Sequence, residues 1–271
     1  MRSIFILFAF LFCTAFGQEP AKERPILTLF GATGDLAKRK LFPALVHLEK
    51  GGVLADDFLC IAIGRGIEER FWKEAPQFVA KEDRPYWDSL SKKMIFVAGN
   101  FEGNAIYGKL EEYKGDRLFY LATPPSYFSS VLEKLHAHRL LERNERVIIE
   151  KPFGSDLASA RELHQQISQY LPEERTYRID HYLGKPGARH MFDFRFANPH
   201  FEKLWDHHSV DSVTITLSED IGIGTRSSFW EQTGLLRDIV QNHAMHCSLF
   251  LLWKNPKNLQ LRKSRRRRGN C

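Results

Sequence analysis

The stretch Pro25-Ile-Leu-Thr-Leu-Phe30, followed directly by Gly31-Ala-Thr-Gly-Asp-Leu-Ala37, decides the fold that we predict for this chain. The first six residues form an apolar run with one Thr, which is typical of a strand buried on both faces of a parallel sheet. Apolar residues then recur at helical spacing up to Leu48, and Gly51-Gly52 predicts the end of that helix. A second apolar strand, Phe58 to Ile63, completes a strand–turn–helix–strand (βαβ) unit.

The turn after the first strand has the spacing Gly-x-x-Gly-x-x-Ala, a close variant of the dinucleotide-binding fingerprint. Gly31 permits a tight turn, Gly34 lets the backbone approach a pyrophosphate, and Ala37 keeps the helix close to the strand. Free N–H groups at the start of the helix then face the anion. The turn therefore predicts a dinucleotide site, and the alternative is a tight turn without a ligand.

The residue after the second strand indicates which dinucleotide is bound. NAD-binding proteins usually carry an acid there, which binds the ribose 2′-hydroxyl. This chain carries Arg65 instead, between Gly64 and Gly66, with Lys38 and Arg39 as further nearby cations. A guanidinium suits a 2′-phosphate, so NADP is favoured over NAD. The alternative is that Arg65 is only a surface residue of a turn.

Strands and helices continue to alternate up to residue 179, which predicts an α/β Rossmann domain. Strands are expected at Met94–Val97, Arg117–Ala122, Val147–Ile149 and Thr176–Ile179, and helices at Tyr127–Leu141 and Leu157–Leu171.

A polar segment lies at the end of each of the last two of these strands. Lys151, in Glu150-Lys-Pro-Phe-Gly154, comes at a strand end, where it is either a ligand for a phosphate or hydroxyl or a surface lysine. Arg178-Ile-Asp-His-Tyr-Leu-Gly-Lys185 carries an acid, an imidazole, a phenol and an ammonium group. Asp180 is suited to set the tautomer of His181. Tyr182 and Lys185 are suited to hold an anion such as a phosphate. The alternative is a solvated turn.

The pattern changes after Lys185. Pro186-Gly187 opposes a helix at that point. Val210 to Glu219 alternates apolar and polar residues, which predicts a strand buried on one face. Leu235 to His246 reads as a helix carrying Arg237-Asp-Ile-Val-Gln-Asn-His243, where Asp238 and His243 are five positions apart and, at more than one α-helical turn, need not touch.

The two ends of the chain differ from its body. Arg2, the apolar run Ile4 to Phe12 and Ala15-Phe-Gly17 read as a secretory signal cleaved before Gln18, too short for a stable membrane span. The alternatives are a buried N-terminal strand or a wrongly chosen start codon. The four cysteines show no disulfide framework.

The C-terminal tail accounts for the basic character of the chain. The net charge is +6, and six cations lie in the last ten residues, so the remainder is neutral: Arg262, Lys263, Arg265, Arg266, Arg267 and Arg268. A basic arm that binds nucleic acid non-specifically is one interpretation of this tail, and no specific nucleic-acid partner is expected.

Taken together, these residues resemble the glucose-6-phosphate dehydrogenase family from about Ile26 to Met245. The resemblance rests on four blocks in order: Gly31-Ala-Thr-Gly-Asp-Leu-Ala, Glu150-Lys-Pro-Phe-Gly, Arg178-Ile-Asp-His-Tyr-Leu-Gly-Lys and Arg237-Asp-Ile-Val-Gln-Asn-His. It implies a Rossmann coenzyme domain followed by an α+β domain built on a large antiparallel sheet. It also implies oxidation of D-glucose 6-phosphate to 6-phospho-D-glucono-1,5-lactone, with hydride transfer to NADP.

The resemblance also implies the roles of individual residues. His243 would be the general base, and Asp180 would stabilise its cationic form. Lys151 would touch both substrate and coenzyme. The coenzyme site would further include Gly31, Ala32, Thr33, Gly34, Asp35, Leu36 and Arg65, and the substrate site His181, Tyr182, Lys185, Glu219 and Asp238. No metal is implied.

The chain departs from the family pattern at its end, because family members continue well past the position of His243. The codons around Trp253 and Lys254, read in a shifted frame, force a glutamate and permit a family-like helical sequence, so we expect a frameshift near codon 246. The expected segments are therefore a signal peptide at 1–17, an NADP-binding Rossmann domain at 18–185, an incomplete α+β domain at 186–245 and a frameshifted tail at 246–271.

This organisation has consequences for activity and location. An incomplete sheet favours a catalytically inactive NADP-binding fragment as the alternative function, and it argues against a homo-oligomer. The signal-like start resembles the luminal branch of the family and points to the secretory pathway or the endoplasmic reticulum lumen. The motifs fit the cytosolic branch as well, so the cytoplasm is the alternative.

Overall fold

The computed structural model describes residues 23–154, 156–180, 184, 186–218, 231 and 234–252. The chain divides into two compact units, Met1–Lys185 and Pro186–Cys271. The predicted signal segment and the tail from residue 253 lie outside the described ranges. Within those ranges, no helix has the length and apolar character needed to cross a membrane.

The first unit is built on a six-stranded sheet whose strands all pair in parallel. The spatial order is β3-β2-β1-β4-β5-β6, which is the doubly wound Rossmann order, so the predicted α/β Rossmann fold is confirmed. The order in which successive strands are added reverses between β1 and β4, and ligands of such sheets bind at this switch point. The strands are β1 (Pro25–Phe30), β2 (Leu59–Gly64), β3 (Met94–Ala98), β4 (Asp116–Leu121), β5 (Arg146–Glu150) and β6 (Thr176–Ile179).

Two apolar layers cover the sheet, and this explains the uninterrupted apolar run of β1. Leu27 and Leu29 belong to the layer formed with the first helix, whereas Ile26 and Phe30 pack into the opposite layer. Because alternate side chains of β1 enter different layers, both sets must be apolar.

Apart from short 3-10 turns, six helices surround this sheet in the described part of the first unit. The first, α1, begins as a π-helical segment, Ala37–Leu41, and continues as Phe42–Lys50. Two helices end earlier than predicted: α5 ends at Ala137 rather than Leu141, before a left-handed residue, Arg139, and α6 ends at Ser168 rather than Leu171. The others are α2 (Glu68–Glu74), α3 (Arg84–Ser91) and α4 (Ala105–Glu111), with α5 spanning Phe128–Ala137 and α6 Leu157–Ser168.

The regular secondary structure in the described part of the second unit consists of helices. It contains α7 (Pro186–Ala197), α8 (Pro199–Leu204), a π-helix α9 (Leu236–Ala244) and α10 (Met245–Leu252). The prediction that Pro186-Gly187 opposes a helix was wrong, because Pro at the first helical position has no N–H that the helix would use.

The strand predicted at Val210–Glu219 was also wrong for residues 210–218, which adopt no regular secondary structure. Alternating side chains stabilise a strand only when its backbone groups have a neighbouring strand to bond with. The described residues of this unit contain no such partner strand, so the antiparallel sheet implied by the resemblance is not seen in them.

Candidate functional site

The glycine turn follows β1 at the carboxyl edge of the sheet. Gly31 has a φ of +89°, and the N–H groups of Gly31 and Ala32 both donate to the carbonyl oxygen of Ile63 at 2.9 Å. A Cβ on Gly31 would lie 2.3 Å from the carbonyl oxygen of Ala122, which is a clash with the backbone after β4. Only glycine therefore satisfies both the backbone angle and the close approach.

The rest of the turn is equally tight. The N–H of Gly34 donates to the carbonyl oxygen of Gly31 at 2.9 Å, and a Cβ on Gly34 would approach that oxygen to 3.0 Å. A Cβ on Gly64 would lie 2.7 Å from the side chain of Thr33, so the end of β2 lies directly against the turn. This bare backbone between β1, β2 and β4 fits the pyrophosphate of a dinucleotide, which needs close approach to N–H groups.

The three cations named for the 2′-phosphate differ in their surroundings. Lys38 forms an ion pair with Glu74, and Arg39 donates to Asp35 at 2.6 Å. Arg65 is exposed in the turn after β2, and no hydrogen bond or ion pair holds it within the described residues. Arg65 is therefore the cation that is available to an incoming anion.

Lys151 and Asp180 form an ion pair at the carboxyl ends of the neighbouring strands β5 and β6. Their side chains are 18% and 12% exposed, respectively, so the pair is partly shielded from water. The structure thus brings together two predicted site residues that lie 29 positions apart in the sequence. The peptide bond between Lys151 and Pro152 is cis.

A second polar pair, which the sequence analysis missed, lies beside this ion pair. The hydroxyl of Tyr120 donates to the Glu150 carboxylate at 2.5 Å. Burial raises the pKa of Glu150, with a further contribution from the charge of Asp180, while the Tyr120 hydrogen bond acts in the opposite direction. Burial also raises the pKa of Tyr120 well above its usual value. The sequence feature that could have indicated this pair is Glu150, an acid directly before Lys151 at the end of a strand.

Thr123 is a further polar residue at this edge of the sheet, and the sequence pattern did not assign it to the site. It follows β4, and its methyl group lies 3.4 Å from the position of a Cβ on Gly31. Its hydroxyl is buried and has no hydrogen-bond partner within the described residues. A buried hydroxyl without a partner, next to the glycine turn, is suited to bond with a bound molecule.

The predicted phosphate-binding residues lie outside the described residues: His181, Tyr182, Lys185 and, for the sugar hydroxyls, Glu219. Asp238 and His243 are described in the second unit, on α9, and both are partly buried. These two residues are five positions apart on the π-helix, and no hydrogen bond or ion pair between them is seen within the described residues.

Comparisons with known proteins identify the family. The sequence profile described as "Glucose-6-phosphate dehydrogenase, NAD binding domain" matches residues 28–189, which is more than half of the chain. The chain belongs to the glucose-6-phosphate dehydrogenase family. The profile of the C-terminal domain of glucose-6-phosphate dehydrogenase matches residues 192–270. That range extends into the tail, where the frameshift stays a prediction.

Individual members of the glucose-6-phosphate dehydrogenase family are similar over most of this chain. A glucose-6-phosphate 1-dehydrogenase of Chlamydia pneumoniae is 43% identical over 255 residues, covering 85% of this chain and 50% of the relative. That of Chlamydia muridarum is 40% identical, covering 88% and 52%, respectively. The chain therefore spans about half the length of the curated relatives it matches.

A solved structure described as glucose-6-phosphate dehydrogenase in complex with its substrate glucose-6-phosphate has a TM-score of 0.80 to this chain. It is 31% identical and covers 89% of this chain and 54% of its own. The glucose-6-phosphate 1-dehydrogenase of Mycobacterium avium has a TM-score of 0.74 at 33% identity, covering 86% and 52%.

Proposed function

We propose that this protein oxidises D-glucose 6-phosphate to 6-phospho-D-glucono-1,5-lactone, with hydride transfer to NADP. The observation that carries the proposal is the glycine turn at the switch point of a Rossmann sheet, with the Lys151–Asp180 pair at the same edge. Membership of the glucose-6-phosphate dehydrogenase family supports it.

The backbone of the glycine turn would hold the pyrophosphate, and Arg65 would bind the 2′-phosphate that distinguishes NADP from NAD. When bound, the nicotinamide ring provides the acceptor for the hydride from C1 of the sugar. The hydroxyl of Thr123 would donate to or accept from the bound dinucleotide at the end of β4. The residues proposed to line this site are Gly31, Ala32, Thr33, Gly34, Asp35, Leu36, Arg65 and Lys151.

The sugar phosphate would be held by His181, Tyr182 and Lys185, whose donors suit phosphate oxygens. Glu219 and Asp238 would accept hydrogen bonds from the sugar hydroxyls. Lys151 would contact both the sugar and the dinucleotide. Its ion pair with Asp180 supports this role, because it keeps the ammonium group at the carboxyl edge of the sheet.

His243 would take the proton of the C1 hydroxyl, since an alcohol must lose its proton as hydride leaves. An imidazole titrates near neutral pH and can therefore both accept and release this proton. Asp180 would stabilise the imidazolium that forms. Residues 186–245 would belong to the α+β domain that the family resemblance implies, with its large antiparallel sheet.

The test is the formation of NADPH by the purified 271-residue chain, followed by absorbance. NADPH should form with glucose 6-phosphate, and much more slowly with glucose, which lacks the phosphate. His243→Asn should reduce kcat by roughly 10²-fold or more, because it removes the general base. Turnover that is equally fast without the phosphate, or unaffected by His243→Asn, would contradict the proposed site.

A second candidate is a coenzyme-binding protein without turnover. It is favoured by residues 210–218, which form no strand in the described part of the second unit. Calorimetric binding of NADP, combined with no glucose-6-phosphate-dependent NADPH, would support this candidate and reject the first.

The location is a separate proposal. The signal-like start would direct the chain to the secretory pathway or the endoplasmic reticulum lumen, with the cytoplasm as the alternative. Protection from added protease in isolated membrane vesicles would support the luminal location, and full digestion without detergent would reject it.

A further inference from the structure

Among the cations on the segments that follow β1 and β2, which also include Lys40 and Lys73, four concern the 2′-phosphate position or Glu74: Lys38, Arg39, Arg65 and Arg70. Glu74, on the last turn of α2, binds two of them. Lys38 donates to one carboxylate oxygen of Glu74, and Nε of Arg70 donates to the other at 2.6 Å. These hydrogen bonds lower the pKa of Glu74 to about 2, and the bond from Lys38 contributes most. The carboxylate of Glu74 is therefore ionised at neutral pH.

Arg39 is also held by its surroundings. It donates to Asp35 at 2.6 Å, and its guanidinium lies 4.3 Å from the centroid of the Phe78 ring. Within the described residues, Arg65 is the one of the four without a hydrogen bond or ion pair. Three of these four cations are therefore already paired with acids before any ligand binds.

We propose that Glu74, by binding Lys38 and Arg70, limits how strongly this chain prefers NADP to NAD. The proposal rests on the coenzyme site proposed above, in which Arg65 binds the 2′-phosphate. Lys38 lies one turn into the helix that starts at the glycine turn, where its N–H bonds to the carbonyl oxygen of Gly34. Glu74 thus joins the helix behind the pyrophosphate position to the helix that follows Arg65.

The physical basis is electrostatic. NADP differs from NAD only by its 2′-phosphate, which carries close to two negative charges near neutral pH. Contacts to the pyrophosphate are common to both coenzymes and cancel in the ratio of their dissociation constants. If one negative charge is lost, and it acts on this phosphate across about 8 Å of a water-like dielectric, the ratio would change about fivefold, which sets the scale of the expected effect.

The test uses Glu74→Gln in the full chain, with dissociation constants for NADP and NAD measured by calorimetry. The NADP preference should rise about fivefold at low ionic strength and much less near 0.5 M salt, where exposed charges are screened. Glu112→Gln is the control, because it also removes one exposed acid, but Glu112 precedes β4 at the amino end of the sheet and its side chain makes no hydrogen bond or ion pair within the described residues. This control should change the ratio by less than about twofold.

A double variant tests whether the released lysine carries the effect. Glu74→Gln combined with Lys38→Met restores the net charge of the starting chain, so the coenzyme ratio should return to within about twofold of it. The proposal is overturned if Glu74→Gln behaves like Glu112→Gln. It is also overturned if Glu74→Gln lowers the NADP preference, since Glu74 would then be presenting Lys38 to the phosphate. Circular dichroism checks that each variant is folded.

A separate variant distinguishes failure of this proposal from failure of the proposed coenzyme site. Arg65→Ala should reduce the NADP preference by about tenfold or more, the range expected when a charged hydrogen bond to phosphate is lost. An unchanged ratio in Arg65→Ala rejects the proposed 2′-phosphate site and the role of Glu74 with it. A large loss in Arg65→Ala with no response in Glu74→Gln rejects the role of Glu74 alone.

Discussion

The two units of the chain differ in how completely they bury their own apolar residues. The sheet of the first unit is covered on both faces, and Leu45 on α1 is fully buried. In the second unit, large apolar residues remain accessible along α9 and α10, and Leu236 is 72% exposed. The first unit therefore forms a core from its own elements. In the second unit, the sequence pattern alone does not identify which faces of the helices are buried.

The largest effect should come from the core of the first unit. Leu45→Ala removes a fully buried side chain and should lower the free energy of unfolding by about 3 kcal/mol, because it leaves a cavity. Leu236→Ala, which is the matched change in the second unit, should alter it by less than about 0.5 kcal/mol. Urea unfolding measures both values. Equal losses would show that the contrast between the units is wrong.

The glycine turn provides the second test. Gly31→Ala should cost about 3 kcal/mol and abolish coenzyme binding, because the new Cβ meets the carbonyl oxygen of Ala122 and φ is positive. Gly52→Ala is the control, since Gly52 also has a positive φ but open space around it, and it should cost about 1 kcal/mol. If both variants lose the same stability, the close contact with Ala122 contributes nothing.

A smaller effect is expected from the contacts that tie α10 to the rest of the second unit. The indole N–H of Trp205 donates to the carbonyl oxygen of Leu251 at 2.6 Å, and the buried Arg195 donates to the same oxygen. Trp205→Phe keeps most of the ring but loses the donor, and should cost about 1 kcal/mol in thermal unfolding. A melting temperature identical to that of the unaltered chain would argue against this contact.

The smallest effect should appear as a difference in pH dependence. Burial raises the pKa of Glu150 in the folded chain, so the folded state binds this proton more tightly than the unfolded state. Stability contributed by the bound proton is present at low pH and is lost as pH rises through the folded pKa. Glu150→Gln should therefore gain stability relative to the unaltered chain as the pH rises from about 4, near the pKa of an unfolded glutamate, through the raised pKa of the folded chain. Parallel stability curves over that range would exclude this contribution.

Local sequence patterns predicted the first unit better than the second for a physical reason. The apolar run of β1 and the spacing from Gly31 to Ala37 are set by contacts with the nearest layers, so they are visible in a short window. Residues 210–218 have the alternation of a strand, but strand formation depends on a partner elsewhere in the chain. Pro186 was misread because its effect depends on whether it begins a helix or interrupts one.

The candidate site likewise combines residues that local sequence patterns predicted with contacts that they did not. The glycine turn and Lys151 were predictable from strand ends, where ligands of parallel sheets bind. The pairing of Tyr120 with Glu150 joins residues 30 positions apart, and no spacing rule connects them. The π-helical form of α9 also depends on packing, although it changes the separation of Asp238 and His243.

The contact between Gly64 and Thr33 has a consequence for the thermodynamics of binding. Because Gly64 has no side chain, the side chain of Thr33 lies directly against the backbone at the end of β2, and the bonds from Gly31 and Ala32 to Ile63 hold the same junction. For the proposed coenzyme, the backbone positions that would receive its pyrophosphate and lead to Arg65 are therefore already ordered by folding. Binding need not order a loop there, so its entropic cost falls mainly on the ligand and on the Arg65 side chain.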